Sequence, residues 1–153
     1  MEDLAELKQA VHAACLILLE ARIHGAEAGL EQAREAGRAE TKTSAGDKHE
    51  TARAMAQVEL EKQVNAVRYL RVMEAAFRGI DPLRPATRIA SGALVCTDQG
   101  HFYVSAALGG IVIKGTVVQA ISMQAPVLTA FAALALGETV EFRGKSYRLL
   151  GMG

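Results

Sequence analysis

The chain has 153 residues, half of them hydrophobic, which suits one domain of typical size or two very small ones and excludes a largely disordered protein. Its 17 basic and 17 acidic residues cancel, which argues against a protein that binds naked duplex nucleic acid through a broad basic face. There is no Trp, and there are only four Phe and three Tyr residues, so the core must be mainly aliphatic.

The start of the chain has no features of a targeting segment. Glu2 and Asp3 stand where a secretory signal peptide would need basic residues. The apolar run from Ala13 to Leu19 is far too short to span a membrane. Cys15 and Cys96 have no paired spacing and are interpreted as reduced, buried thiols. We therefore expect a soluble, cytoplasmic protein with no membrane partner.

Residues 3 to about 38 are predicted to form one long helix, because apolar residues recur at steps of three and four. The stripe comprises Leu4, Leu7, Val11, Cys15, Leu19, Ile23, Ala26, Leu30 and Ala33. Gly25, Gly29 and Gly37 interrupt the pattern without an accompanying proline.

A second helix is predicted from Asp47 to about Arg78, where Gly79 and Pro82 stop it. Its apolar stripe comprises Leu60, Val64, Val67, Leu70, Met73 and Phe77. The polar segment from Thr41 to Asp47 is predicted to be the turn. Two helices joined by so short a turn must run antiparallel. Residues 1–80 therefore predict a coiled-coil hairpin with its tip at about residues 40–50, and an arm roughly 45 Å long.

Residues 81–153 change to the periodicity of strands after Pro85. The predicted strands are Ser91–Thr97, His101–Ala106, Thr139–Phe142 and Ser146–Leu150, and a β-rich run, Ile111–Ile121, follows a turn at Gly109-Gly110. A hairpin turn is predicted at Arg143-Gly144-Lys145. A short helix is predicted to begin at Pro126 and end at Leu136. The predicted fold class is α+β: a helical hairpin followed by a small antiparallel sheet with one short helix.

Two acids, Asp47 and Glu50, stand three residues apart at the start of the second helix. That spacing is typical of a capping pair. A compatible functional interpretation is that both carboxylates point off the tip toward a cation, since Mg²⁺ is commonly held by one or two carboxylates and substrate oxygens. His49 lies between them, either as a solvated helix residue or as a proton carrier.

No independent active site is predicted. The residues His12, His24, His49 and His101 have no metal-ligand spacing, and neither cysteine has a nearby His in the sequence. Nucleophile-elbow and phosphate-loop motifs are absent from the sequence. We expect a protein that is not an enzyme and has no cofactor of its own. A small cysteine enzyme and a plain coiled-coil interaction module are the alternatives from other classes.

Two segments carry a resemblance to a known family. The first, SAGDKHETARAM at residues 44–55, lies between the two predicted long helices and contains Gly46, Asp47, Glu50 and Ala52. The second, ISMQAPVLTAFAALALGETVEF at residues 121–142, contains Ile121, Ser122, Pro126, Ala130, Gly137, Glu138 and Val140. In these residues, and in the order and length of its elements, the chain resembles the Gre family of bacterial transcript-cleavage factors.

The resemblance implies an FKBP-like C-terminal domain and a partner, RNA polymerase, at whose secondary channel that domain docks. The hairpin would reach the active centre, where Asp47 and Glu50 help to hold the second Mg²⁺ and orient a water that cleaves backtracked RNA. Lys48 and His49 would be tip contacts. The Mg²⁺ would be shared with the polymerase, the nascent RNA 3′ end would be met indirectly, and the factor would act as a monomer.

Some positions depart from the family pattern. Arg53 stands where the family has a further acid, and Lys48 and His49 replace its usual tip residues. These changes make the tip less negative, which favours an alternative function: a regulator that occupies the same channel without cleavage and modulates pausing or initiation. The basic residues of the C-terminal part that could contact the polymerase are Arg84, Arg88, Lys114, Arg143, Lys145 and Arg148.

Overall fold

The structure, a computed structural model, describes the backbone of residues 3–42 and 46–153 and the side chains of residues 3–39 and 50–153. The helices in this range are α1 (Leu4–Lys42), α2 (Gly46–Arg78) and α3 (Pro126–Phe131), and the strands are β1 (Leu94–Thr97), β2 (Gly100–Val104), β3 (Gly109–Ile113), β4 (Thr116–Ile121), β5 (Thr139–Phe142) and β6 (Lys145–Met152). The predicted α+β class is confirmed: a long helical hairpin precedes a six-stranded sheet and one short helix.

The two long helices extend further toward each other than predicted. Helix α1 continues to Lys42 rather than ending near residue 38, and α2 begins at Gly46. Thr41, Lys42, Gly46 and Asp47 were predicted to belong to the turn but are helical, and the rest of that predicted turn, residues 43–45, lies outside the described residues. Helix α1 also runs through its three glycines, since an isolated Gly costs only about 1 kcal/mol relative to Ala, and contacts along the stripe can offset that.

The described residues form two compact units. The sheet unit combines the residues up to Leu18 with Ala76–Gly153, and the arm unit is Leu19–Ala75. The predicted division near residue 80 follows the end of α2, whereas the two units divide within both long helices. No described helix has the length and apolar character required to cross a bilayer.

In the arm unit, α1 and α2 run antiparallel along the predicted apolar stripes. Leu19, Ile23 and Ala33 of α1 are buried, and the α2 residues facing them are half-buried: Leu60, Val64, Val67, Leu70 and Met73. Arg71 of α2 forms an ion pair with Glu27 of α1. The helices approach closely at Gly29, where an added Cβ would lie 2.9 Å from Gln63 Oε1.

The sheet has the strand order β3-β4-β2-β1-β6-β5. Four of its neighbouring pairs are antiparallel, but β2 and β4 pair in parallel, with His101 opposite Val118. The expectation of a purely antiparallel sheet is therefore wrong in this one pair. The reason is the strand order: β3 lies at the sheet edge and β4 lies between β3 and β2. Because β4 is antiparallel to β3, and β3 runs opposite to β2, β4 runs in the same direction as β2.

Two hairpin turns use backbone conformations that favour glycine. Lys114-Gly115 joins β3 to β4 with φ of 48° and 83°, and Arg143-Gly144 joins β5 to β6 with φ of 50° and 80°. Positive φ at both central residues is the type I′ turn that suits the twist of a hairpin. The Ile111–Ile121 run is thus two strands. Gly109 and Gly110 belong to β3 rather than to a turn.

Helix α3 ends at Phe131, not at Leu136 as predicted. Beyond Phe131, the amides of Leu134 and Ala135 do not donate to the carbonyl four residues earlier, as they would in an α-helix. The Leu134 amide donates to the Phe131 carbonyl, and the Ala135 amide donates to the Glu138 carboxylate at 3.1 Å. The Phe131 ring is buried between Phe102 and Tyr147, with ring centres 5.5 and 5.4 Å away. This aromatic group anchors α3 on the sheet.

Gly25 offers a stability test of the arm unit. No atom lies within 4 Å of an added Cβ at Gly25, so Gly25→Ala should raise the free energy of unfolding by about 0.5–1 kcal/mol through helix propensity alone. Urea denaturation followed by circular dichroism measures this. Gly29→Ala is the matched variant and should gain less, because Gln63 must move away. A Gly25→Ala protein no more stable than the native chain would contradict this account of the helix.

Candidate functional site

The sequence-predicted site lies where α1 ends and α2 begins. Asp47 is the second residue of α2, so its backbone belongs to the first helical turn. The side chains of Asp47, Lys48 and His49 lie outside the described residues, and their capping, metal and contact roles stay predictions. Residues 43–45 also lie outside the described residues, and they include Ser44 and Ala45, the first two residues of the motif.

Glu50 is the member of the predicted acidic pair whose side chain the structure describes. It is exposed and lies in the first turns of α2, where the helix dipole stabilises negative charge. Residues three apart on a helix share one face. The backbone of α2 thus places Asp47 and Glu50 on the same side of the helix. A solvent-facing carboxylate near a helix N-terminus can bind a cation or accept hydrogen bonds from a partner.

Beside this end of α2, three arginines line a groove between the two helices of the arm unit. The groove has a volume of about 410 Å³ and is lined by Arg34, Gly37, Arg38, Arg53, Ala56, Gln57 and Leu60. Arg38 Nη1 lies 2.8 Å from Glu35 Oε1, and Arg34 Nη1 lies 3.8 Å from Glu31 Oε2. Arg38 Nη1 also lies 3.9 Å from Glu31 Oε1, and all four side chains are more than half exposed, so these ion pairs contribute little to stability.

The arginine groove was missed by sequence reasoning, apart from Arg53. Its signal was available: Arg34 and Arg38 are four residues apart on α1, and an antiparallel hairpin brings the start of α2 opposite them. Guanidinium groups provide planar, paired donors that match carboxylate and phosphate oxygens. The groove therefore suits an anionic partner, next to a helix end that carries the acidic motif.

In the sheet unit, the base of α1 carries a cluster of polar side chains. His12 Nδ1 and the Tyr103 hydroxyl share a hydrogen bond of 2.7 Å, and the His12 ring stacks on Phe77 at 4.4 Å. Lys8, only 2% exposed, donates from Nζ to the Arg84 carbonyl at 2.6 Å. Burial lowers the pKa of Lys8, against the attraction of Asp81. This cluster joins α1 to β2 and to the segment that follows α2.

Burial also sets the protonation state of the cluster. It lowers the pKa of His12, with a smaller contribution from Lys8 that Asp81 opposes. Burial raises the pKa of Tyr103, with repulsion from Cys15 as the second cause. Burial raises the pKa of Cys15 to about 11, so this thiol is a poor nucleophile at neutral pH. The predicted buried, reduced state of both cysteines is confirmed.

The sequence places no histidine beside either cysteine, but the fold brings one opposite Cys96. Cys96 of β1 lies directly opposite His101 of β2 in the strand register. The sequence signal was a spacing of five residues around the predicted Asp98-Gln99-Gly100 turn, which a hairpin converts into a cross-strand pair. Cys96 is buried, and within the described residues His101 Nδ1 is a buried atom without a hydrogen-bond partner. A buried thiol in the middle of a sheet offers no access to a substrate.

The second motif of the sequence falls on element boundaries in the sheet unit. Ile121 ends β4, Pro126 begins α3, and Gly137 adopts a φ of 83° before β5. The basic residues expected to contact a partner are all exposed. They are Arg84, Arg88, Lys114, Arg143, Lys145 and Arg148. Arg143 lies over the Phe142 ring, 5.0 Å from its centre.

Comparison with known proteins gives no match to a family model, to a curated protein or to a solved structure. Among the described side chains, no group of three His, Cys, Asp or Glu residues comes close enough to hold a metal ion.

The lowered pKa of His12 predicts a loss of stability in mild acid. Between the folded pKa and the ordinary value of 6.5, the unfolded chain binds a proton that the folded chain does not. The free energy of unfolding should therefore fall as the pH falls below about 6.5. The Nδ1 atom of a neutral His12 can accept a hydrogen bond from the Tyr103 hydroxyl, whereas a charged His12 has a proton on both ring nitrogens and cannot accept one.

Chemical denaturation at pH 7.5 and at pH 5.5 measures this effect. The native chain should lose more stability between these values than His12→Gln, which cannot titrate in this range. Among the neighbouring groups, the thiol of Cys15 and the phenol of Tyr103 titrate far above this window. Parallel pH profiles for the two proteins would contradict the role given to His12.

Proposed function

We propose that this chain binds RNA polymerase at the secondary channel and stimulates cleavage of backtracked RNA, while the polymerase performs the chemistry. The observation that carries the proposal is the position of the SAGDKHETARAM segment. It falls at the junction of two helices of 39 and 33 residues, and its Asp47 and Glu50 lie in the first turns of α2. A Gre-like acidic motif thus coincides with the end of a long helical hairpin.

The dimensions of the hairpin support this assignment. At 1.5 Å per residue, α1 and α2 are roughly 58 and 50 Å long. Toward the junction of the two helices the side chains on the inner faces become small, as at Ala33 and Ala56, so the hairpin is thin there.

Carboxylates at this position suit the proposed chemistry. In two-metal hydrolysis, the ions stabilise the attacking and leaving oxygens of an in-line displacement, and each ion needs oxygen ligands. Asp47 and Glu50 would supply carboxylate oxygens to the second Mg²⁺ and help to orient the attacking water. Glu50 is exposed, as a residue that completes a partner's metal site must be.

The arginine groove supports contact with an anionic partner. Arg34, Arg38 and Arg53 present guanidinium donors next to the acidic end of α2. A backtracked RNA 3′ end carries phosphates, for which such donors are suited. The groove would counter the repulsion between this RNA and the tip carboxylates, which is an indirect contact with the nascent chain rather than a role in the cleavage step.

The decisive experiment is a cleavage assay on a halted, backtracked elongation complex assembled with the polymerase of the source organism. The native protein should produce shortened RNA that can be extended again. Asp47→Asn and Glu50→Gln should each reduce the cleavage rate by about 100-fold or more, because charge stabilisation by a metal ion is worth several kcal/mol. Asn has the size of Asp and keeps one side-chain acceptor oxygen, so Asp47→Asn removes the charge with little other change.

Glu59→Gln is the matched control, because Glu59 is an exposed carboxylate on the same helix, nine residues beyond Glu50. It should cleave at the native rate. All variants should bind the polymerase within a few fold of the native protein. Cleavage at the native rate by Asp47→Asn and Glu50→Gln would refute the metal role, and loss of polymerase binding by the native chain would refute the whole proposal.

A second candidate function is a regulator that occupies the same channel without cleavage. It is favoured by the basic residues around the acids, since Arg53 lines the groove beside α2 and Lys48 follows Asp47. This function predicts stable binding, no shortened RNA, and altered pausing or promoter output. It also predicts competition. When this protein is added to a reaction that contains a separate cleavage factor, cleavage should fall in proportion to the fraction of polymerase that this protein occupies.

A further inference from the structure

Helix α2 carries a second apolar stripe, on the side away from α1. Met55, Val58, Tyr69 and Val72 are 69%, 66%, 62% and 65% exposed. They are the exposed large hydrophobic residues of α2 within the described side chains, and all belong to the arm unit. Buried or half-buried side chains that face α1, such as Leu60 and Val67, lie on the opposite side of the helix.

The stripe has the spacing of a coiled-coil seam. Positions 55, 58, 62, 65, 69 and 72 follow one another at alternating steps of three and four, which is the a/d pattern of a heptad repeat. The apolar residues occupy the outer positions, whereas Lys62 and Asn65 occupy the middle. A face exposed only to water has no reason to keep this period, and four large apolar residues along it favour burial against another helix.

We infer that this outer stripe of α2 pairs with the same stripe of a second copy of the chain, antiparallel and about a two-fold axis between positions 62 and 65. In that arrangement each a residue faces a d residue of the other copy. Met55 then meets Val72, Val58 meets Tyr69, and Lys62 meets Asn65. Every large apolar residue of the stripe gains an apolar partner, and the interface is isologous, as a two-fold dimer requires.

The charges beside the seam fit a second copy in this orientation. Glu61 and Arg68 occupy g positions, and in an antiparallel pair the g positions of the two helices face each other. Glu61 of each copy thus meets Arg68 of the other, which gives two equivalent ion pairs. Within one chain, Glu61 accepts from Gln57 at 3.4 Å and Arg68 donates to Asn65 at 3.3 Å, which are long bonds that a charged partner can replace.

A parallel arrangement fits the same residues poorly. It would place Lys62 against Lys62, and Glu61 and Arg68 would face Ala66 and Met73 instead of opposite charges. The antiparallel seam of 18 residues is about 27 Å long, which is at the small end of specific interfaces. We therefore expect a reversible dimer with a Kd of about 1–100 µM. The observations behind this dimer are separate from those behind the proposed function, which uses a monomer, and the two states would compete for α2.

Sedimentation equilibrium of the full chain, from about 1 µM to about 1 mM, tests the dimer. The native chain should dimerise, and Val58→Lys should raise the dimer Kd at least about tenfold because it places a charge in the seam. Ile17→Lys is the matched control, since Ile17 is equally exposed, at 69%, but lies on α1. It should dimerise like the native chain. Circular dichroism melts of both variants verify that they are folded.

A charge exchange tests the orientation. Glu61→Arg and Arg68→Glu should each raise the Kd by about three- to tenfold, because each places like charges together at two symmetric sites. The double exchange, Glu61→Arg with Arg68→Glu, should restore the native Kd. Restoration supports the antiparallel register, and its failure overturns it.

The other results overturn the proposal. A native chain that stays monomeric up to about 1 mM has no such dimer. A dimer that Val58→Lys leaves intact, or that Ile17→Lys weakens equally, uses another surface. A monomer in which Val58→Lys weakens polymerase binding would show that the polymerase, rather than a second copy, covers this stripe.

Discussion

The contact between the inner faces of α1 and α2 is the constraint on which the rest of the arm depends. Isolated helices are marginal in water, and most helical stability in proteins comes from burial of one face. Here Leu19 and Ile23 are buried against the half-buried stripe of α2, and three glycines are carried within α1. Because this contact keeps both helices continuous, Asp47 and Glu50 fall in the first turns of α2, and the arginines of the two helices come together.

The charges at that end of the arm have opposite signs, and the proposed function would use both. Glu50 is exposed at the start of a helix, where the helix dipole stabilises it, and the arginine groove lies alongside. A carboxylate alone would repel an RNA phosphate, and arginines alone would not bind a cation. Together they suit a place where a metal ion and a phosphate meet. Arg53 stands where the resembled family has an acid, so the motif has one negative charge fewer and the groove has one positive charge more.

Helix α2 has two apolar faces, and they differ in how they are satisfied. The inner face is covered by α1 within the chain, whereas Met55, Val58, Tyr69 and Val72 remain exposed. A dimer through the outer face would occupy the same helix that the proposed function requires as a single arm, so the two proposed states would exclude each other.

The sequence by itself determined the features that depend on local periodicity and turn chemistry. The apolar stripes predicted both long helices, Pro126 marked the start of α3, and the spacing of Asp47 and Glu50 located the candidate site, although the Asp47 side chain lies outside the described residues. Helix ends were less predictable. Helix α3 ends at Phe131 because the Ala135 amide finds the Glu138 carboxylate, a choice that propensity does not express.

Only the tertiary structure decided the relations between distant segments. The parallel pairing of β2 with β4 and the bond between His12 and Tyr103 each join residues whose separation in the chain gives no periodic signal. The pKa of His12 depends on its burial and on Asp81, and its ring contacts Phe77 and Tyr103, so it could not be read from its sequence neighbours alone. Local patterns fix which face of an element is apolar, but which surface covers that face is decided by how the whole chain folds.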